Sequence, residues 1–257
     1  MSGRELIPLK AHPDWLLPDW DAPHVGALMT TRAGGVSRPP FDTLNLHAGG
    51  GDDPKAVATN RARLVDVVGV APVWLRQVHG ARVVRLTSAD EAAVHEADGA
   101  IATQPGVACA VQVADCMPVL LAAPHGVAAA HAGWRGLASG VIEATLDALC
   151  QASGDDPSDV QAWLGPCIGP DRFQVGADVL AAFGVDPASA AGSAFRPERP
   201  GKWLADLPRL ARERLAACGV VRVRGGEGCT VSEPSRFFSF RRDGVTGRMA
   251  ALVWLRH

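Results

Sequence analysis

Three apolar runs in quick succession, Val107–Val113, Pro118–Ala122 and Gly126–Ala130, constrain this chain more than any other feature. Each has the length of a strand, and only short turns separate them. Parallel neighbours need crossovers of about a dozen residues or more, so such tight connections predict antiparallel pairing. Further strands are expected at Val25–Thr31, Val73–Val78, Arg82–Thr87, Val160–Leu164, Val220–Arg224 and Met249–Leu255. The pair Val73–Val78 and Arg82–Thr87 reads as a hairpin turning at His79-Gly80. Helices alternate with these strands. Pro54–Val68 follows a capping Asp53, carries Pro54 in its first turn and repeats Val57, Arg61, Leu64, Val65 and Val68 at helical spacing. Leu137–Gln151 places Val141, Ile142, Thr145, Leu146 and Leu149 on one face, and Gly176–Phe183 and Leu204–Cys218 are expected on either side of a loop over Asp186–Gly201. No repeat or interdomain linker interrupts the pattern. The expected fold is α+β: mixed, largely antiparallel sheets flanked by helices, in a single domain over residues 1–257.

Composition excludes several classes. Hydrophobic residues make up 47% of the 257 positions and charged residues 20%, which suits a soluble globular chain rather than a disordered one. A net charge of −2 gives no basic excess for nucleic acid. The opening MSGRELIPLKAHPDW has no apolar core for a signal peptide. The longest apolar run, Met117–Ala132, is broken by Pro118, Pro124, His125 and His131 and is too short for a membrane span. A cytoplasmic monomer is expected, with no membrane partner and all six cysteines as free thiols. The chain has no Tyr, so no phenol can serve as a general acid.

Chemistry concentrates in RQVHG (Arg76–Gly80), VADCMP (Val113–Pro118) and HAGWRG (His131–Gly136). Two imidazoles, His79 and His131, and one thiol, Cys116, could form a three-ligand zinc site whose fourth position stays open to water or substrate. The same donors suit a copper centre, or a cysteine hydrolase with Cys116 as nucleophile and His131 or His79 as base. The multicopper reading is weakened because no two of the eight histidines stand in an H-x-H pair. A histidine before glycine is also a common turn residue, so a purely structural role stays open. The helix after HAGWRG would direct its N-terminal amides at this region, favouring a Cys116 thiolate and an anion.

Six segments resemble the signature stretches of the YfiH-type laccase-domain family. They are QVHG, ADCMPVLL, HAGWRGLASGVIE, Leu28–His47, LGPCIGP (Leu164–Pro170) and Cys229–Leu252. That family comprises purine nucleoside phosphorylases formerly called multicopper polyphenol oxidases. The resemblance implies Zn2+ bound by His79, Cys116 and His131, phosphorolysis of adenosine, inosine and 5′-methylthioadenosine, and deamination of adenosine. It departs from the family at Asp171-Arg172, where relatives often carry a Cys pair, at Ser232 in place of a Cys, and at Phe240, often Tyr. Given that activity, Arg32 beside Gly34-Gly35 is the first choice for phosphate and Arg135 the second. Asn45 and Gln77 could contact ribose or base, and Phe237, Phe238 and Phe240 could stack on a purine. Asp115 is a candidate proton shuttle, and Arg241 and Arg242 are weaker candidates for binding.

Overall fold

The computed structural model describes residues 11–87 and 94–257. Residues 1–10, most of the stretch read above for a leader, lie outside them. Elements are numbered in chain order. One sheet has the order β1 (Val25–Met29), β14 (Met249–Leu255), β6 (Ala108–Val113), β2 (Pro72–Arg76) and β4 (His95–Glu96). A second has the order β13 (Arg222–Gly225), β9 (Gln161–Leu164), β7 (Met117–Ala123), β8 (Gly126–Ala132), β5 (Gly99–Ala102) and β3 (Val83–Arg85). A small third sheet joins β10 (Gln174–Val175), β12 (Lys202–Ala205) and β11 (Phe195–Arg199). The helices are α1 (Pro54–Val68), α2 (Trp134–Ala138), α3 (Val141–Ser153), α4 (Ala177–Ala182), α5 (Leu207–Ala217) and α6 (Phe240–Asp243).

Side-chain alternation along the strands sets the layers. Leu120 and Ala122 of β7 join Val127 and Ala129 of β8 in an apolar layer that also takes Cys109, Val111 and Val113 from β6. The two large sheets therefore stack face to face, and the alanines of β8 let them approach. The opposite side chains of the same strands, Val119, Leu121, Ala128 and Ala130, pack under Ile142, Leu146 and Leu149 of α3 and Leu210 and Leu215 of α5. On the far side, Leu64 and Val68 of α1 cover Ala108, Ala110, Ala250 and Leu252. The result is four layers, helix–sheet–sheet–helix, in the expected α+β class with antiparallel pairs in the majority.

Several local expectations are met. Helix α1 spans the expected residues, with the Asp53 carboxylate accepting from Lys55 N–H and Gly69 closing it in the left-handed conformation. Strands β7 and β8 form an antiparallel hairpin, with Met117 opposite Ala132 and Ala123 opposite Gly126. Two hairpin readings are corrected. Strand β2 pairs with β6 and β4, whereas β3 pairs with β5 in the other sheet, so the chain at His79-Gly80 crosses between sheets. Strands β6 and β7 also lie in different sheets, and the chain crosses between them at residues 114–116. The reason is burial. Strands β6 and β7 are buried along nearly their whole length, so stacking them face to face in different sheets covers both of their sides.

The helix expected over Leu137–Gln151 is two helices. Gly140 takes a left-handed φ of 86° at the break, a conformation that glycine accepts without steric cost. The loop expected over Asp186–Gly201 contains β11, a mostly exposed edge strand whose polar sequence hides it.

Leu120→Ala should open a void between the two sheets, since Leu120 is fully buried there. The expected loss is about 2–5 kcal/mol of unfolding free energy, read from the urea midpoint at constant m-value.

Candidate active site

Both sheet crossings and the end of β8 meet at one edge of the sandwich. His79 and Asp115 are the non-glycine residues with left-handed φ among those described, 62° and 94° respectively, one on each crossing. His131 lies within β8 opposite Pro118, which brings it within two positions of Cys116 across the hairpin. The ligand atoms of His79, Cys116 and His131 all fall within 4.8 Å of one another. The Cys116 Sγ to His79 Nε2 separation is 3.8 Å. A tetrahedral ion with metal–sulfur and metal–nitrogen bonds of ~2.3 and ~2.05 Å would separate those atoms by about 3.6 Å. That pair is spaced for a shared ion of zinc size, and the ligand atom of His131 falls within 4.8 Å of both.

Gly133 adds a second sign of fit. A Cβ there would stand 2.7 Å from Cys116 Sγ and 3.2 Å from His79 Cδ2, so the backbone leaves room beside the donors that a side chain would take.

A residue that sequence reasoning missed holds the trio in place. Asp98 is fully buried just before β5. Its carboxylate accepts N–H bonds from Val78 at 3.1 Å, His79 at 2.9 Å and Gly80 at 2.8 Å, fixing the first crossing. It also accepts from His131 Nδ1 at 2.8 Å. That bond selects the tautomer and leaves His131 Nε2 for Cys116 or an ion, the arrangement that orients most metal-ligating imidazoles. Burial pushes the Asp98 carboxyl up, but the bonds from His131, Gly80 and Val78 hold it below the usual carboxylate range.

Burial likewise opposes ionisation of both Cys116 and His131. Their mutual attraction overrides it, aided by His79 on one side and Asp98 on the other. Cys116 falls to about 6 and His131 rises to about 9. The buried thiol of Cys109, with no such partner, is pushed well up.

The trio opens into a cleft of about 410 Å³ that also exposes His47, Gln77, Gln112, Phe240 and Arg248. Among the described residues no carboxylate lines it. Gln77 is there, but its amide exchanges two hydrogen bonds with the Gln112 backbone and serves to join β2 to β6. Asn45 is fully buried behind the cleft wall, where its carbonyl accepts from His47 N–H and Arg248 N–H. Arg32 is not in the cleft. Its guanidinium pairs with the Asp42 carboxylate at 3.1 Å and donates to the Asp42 and Pro234 carbonyls. Arg135 is exposed and stacks on Trp134 outside the cleft.

The remaining candidates divide in the same way. Asp115 accepts from the Thr230 hydroxyl and from Arg241 N–H, both at 2.6 Å, so both oxygens serve to anchor the C-terminal segment. A free proton shuttle is not what this geometry provides. Phe237 and Phe238 are core residues, whereas Phe240 is 58% exposed and stands at the cleft. Arg242 donates to the carbonyls of Thr230, Val231 and Phe237 and pairs with Asp243. Arg241 reaches the Gln174 carbonyl and lies over Phe173. The six cysteines are free thiols. Among the described residues no helix is long and apolar enough to cross a membrane.

The fold and this site define a recognisable class. Residues 26–256 match the family described as multi-copper polyphenol oxidoreductase laccase, and the chain belongs to that family. Its sequence is 52% identical over 246 residues to a purine nucleoside phosphorylase of Pseudomonas aeruginosa, covering 94% of this chain and 98% of that protein. It is 48% identical to the purine nucleoside phosphorylase YfiH of Escherichia coli, covering 93% and 98%. A Neisseria meningitidis crystal structure superposes with a TM-score of 0.88 at 45% identity, covering 95% of this chain and all of that one. The structure of YlmD from Geobacillus stearothermophilus gives 0.85 at 35% identity, covering 91% and 93%. The family description names several coppers. All eight histidines and six cysteines lie among the described residues, and these bring together one His-Cys-His group.

Asp98→Asn removes the charge that orients His131 while keeping the volume. Affinity for Zn2+ should fall by about 10–100-fold, read by competition with a chromophoric chelator at fixed pH. Unchanged affinity would refute the orienting role. In chelator-treated protein, thiolate absorbance near 240 nm should persist down to pH ~6, well below the ordinary thiol range. Cys116→Ala should remove that component.

Proposed function

We propose that this protein is a purine nucleoside phosphorylase acting on adenosine, inosine and 5′-methylthioadenosine, with adenosine deamination as a second activity. His79, Cys116 and His131 would hold Zn2+. The observation that carries the reading is the convergence of these three donors, oriented by Asp98, at the floor of a cleft with an exposed aromatic ring at its rim. Relatives about half identical over nearly their whole length carry the phosphorylase name, which supports the same chemistry here.

In phosphorolysis an oxygen of hydrogen phosphate forms a bond to ribose C1′, and the C1′–N9 bond breaks. The purine leaves with the electron pair. The proton of hydrogen phosphate ends on the purine, so the products are free base and ribose 1-phosphate. Deamination adds water at C6 of adenosine and releases ammonia. Bound zinc would supply a Lewis acid beside the substrate.

The chain's own residues contribute binding and exclusion. Phe240 is exposed at the cleft with Arg248 over one side of its ring, and stacking of a purine on it would add about 0.5–1.5 kcal/mol beyond simple burial. Leu75 and Ala114 provide apolar wall. Gln77 and Gln112 are locked to each other, so the wall keeps its shape when substrate enters. The absence of carboxylates from the lining avoids repulsion of phosphate.

Incubation of purified, zinc-loaded protein with adenosine should give adenine and ribose 1-phosphate only when phosphate is present, and inosine with or without it. Chromatography separates the products. Cys116→Ala should abolish both activities and lose bound zinc while keeping its far-ultraviolet circular dichroism. A folded, zinc-free variant with undiminished turnover would overturn the reading. His125→Ala serves as control, because His125 pairs with Asp155 at the turn on the opposite end of the β7–β8 hairpin.

A further inference from the structure

Arg248 is one of two arginines at the cleft, with Arg76. It lies half-buried at the start of β14 and lines the cleft. Its Nη1 donates to the carbonyls of Thr246 and Gly247, at 3.2 and 3.1 Å. Among the described residues no carboxylate pairs with it, whereas Arg76, the other arginine lining the cleft, is paired with Glu96. Cys116 and Asp115 act on its charge from a distance, but neither forms an ion pair with it, so burial of the guanidinium is only partly offset. A cation held this way in a cleft free of carboxylates is suited to an anionic ligand, and the guanidinium fork matches phosphate oxygens.

His47 stands beside it by design of the backbone. The buried Asn45 Oδ1 accepts N–H bonds from His47 at 3.0 Å and Arg248 at 2.9 Å, so one atom sets the spacing of both residues. Leu46 N–H donates to the Arg248 carbonyl and completes the junction. The His47 ring is also oriented. Gln112 gives its amide N–H to the Leu46 carbonyl at 2.8 Å, which turns its oxygen toward His47 Nδ1 at 3.2 Å. His47 therefore carries its proton on Nδ1 and presents a lone pair at Nε2. Among the described residues Nε2 has no hydrogen-bond partner. The neighbouring chain is glycine, and a Cβ at Gly49 would come within 3.5 Å of that nitrogen. Burial, with Arg248 and Arg61 nearby, lowers the tendency of the ring to take a second proton.

We propose that Arg248 and His47 form the subsite for hydrogen phosphate, Arg248 donating to its bare oxygens and His47 Nε2 accepting from its P–OH. This rests on the phosphorylase reading and moves the phosphate contact from Arg32, outside the cleft, to Arg248 within it. It carries a specificity consequence. Sulfate has the same shape and charge but no proton at neutral pH, so its oxygen lone pairs would face the lone pair of His47. The subsite should distinguish the two anions.

Orthophosphate and sulfate binding to the zinc-loaded protein can be followed by titration calorimetry, alongside phosphate KM for adenosine cleavage. Wild type should prefer phosphate over sulfate by at least 10-fold. Arg248→Gln should weaken phosphate at least 30-fold in both measurements, with adenosine KM changed less than threefold. Arg248→Lys keeps the charge and loses the fork, and should weaken phosphate 3–10-fold; it also serves if the Gln variant fails to fold. His47→Ala should bring phosphate and sulfate within threefold of each other. Arg85→Gln, an exposed site outside the cleft lining, should match wild type. Phosphate KM unchanged in both Arg248 variants, in an enzyme that cleaves adenosine, would overturn the subsite and leave the phosphorylase reading intact. Phosphate binding that depends on Arg248, in a protein that leaves adenosine whole, would do the reverse.

Discussion

Asp98 is a fully buried carboxylate that accepts four hydrogen bonds, three from the backbone of one sheet crossing and one from an imidazole on β8. An ionised carboxylate in that position is tolerated only because every approach to it is taken by a donor. The bonds work in both directions. They hold Asp98 ionised, and Asp98 in turn fixes the left-handed turn at His79 and the tautomer of His131. Two of the three candidate ligands thus depend on one side chain that faces no solvent. The third, Cys116, sits on the neighbouring crossing, held by Asp115 through Thr230 and Arg241. Behind the sulfur and the two rings lies a pair of carboxylates whose oxygens are taken by donors of the protein itself.

The elements with strong local signals were legible from the residues. Asp53, Pro54 and the apolar period announced α1, and the β7–β8 hairpin followed from its short turn. The class of fold followed from the alternation of such elements. Sheet membership was not legible, because a short turn between two strands reads alike whether they pair edge to edge or stack face to face. The break at Gly140 was masked by apolar spacing that continues across it. At the site, the His-Cys-His trio was visible because its residue types are chemically specific. Asp98 was not, since a lone Asp before Gly reads as a turn, and only the tertiary fold shows what it accepts. Arg248 was likewise hidden. Its place in the cleft follows from Met249 pairing with Val113, a register between strands far apart in sequence.

The arginines illustrate why residue type alone misleads about function. This chain uses guanidinium widely as mortar, bonding carbonyls where loops close on one another. Arg212 donates to the carbonyls of Val223 and Gly225, Arg242 to three carbonyls of the C-terminal segment, and Arg32 to those of Asp42 and Pro234. A glycine-rich neighbourhood made Arg32 look like an anion binder, yet those glycines exist for close packing: a Cβ on Gly35 would strike the backbone of Thr43 and Leu44. An arginine free for ligand is one whose donors remain unspent after the loops are satisfied.

The two crossings carry a mechanical meaning. His79 lies on a strand-to-strand passage leaving the five-stranded sheet, Cys116 on a second such passage, and His131 within the six-stranded sheet itself. An ion shared by the three would clasp the rims of both sheets at one end of the sandwich, while the other end closes by ordinary turns. Occupancy of the centre would then be felt as tension between layers, and the rigidity of that rim would be written by the ion as much as by the apolar seam beneath it.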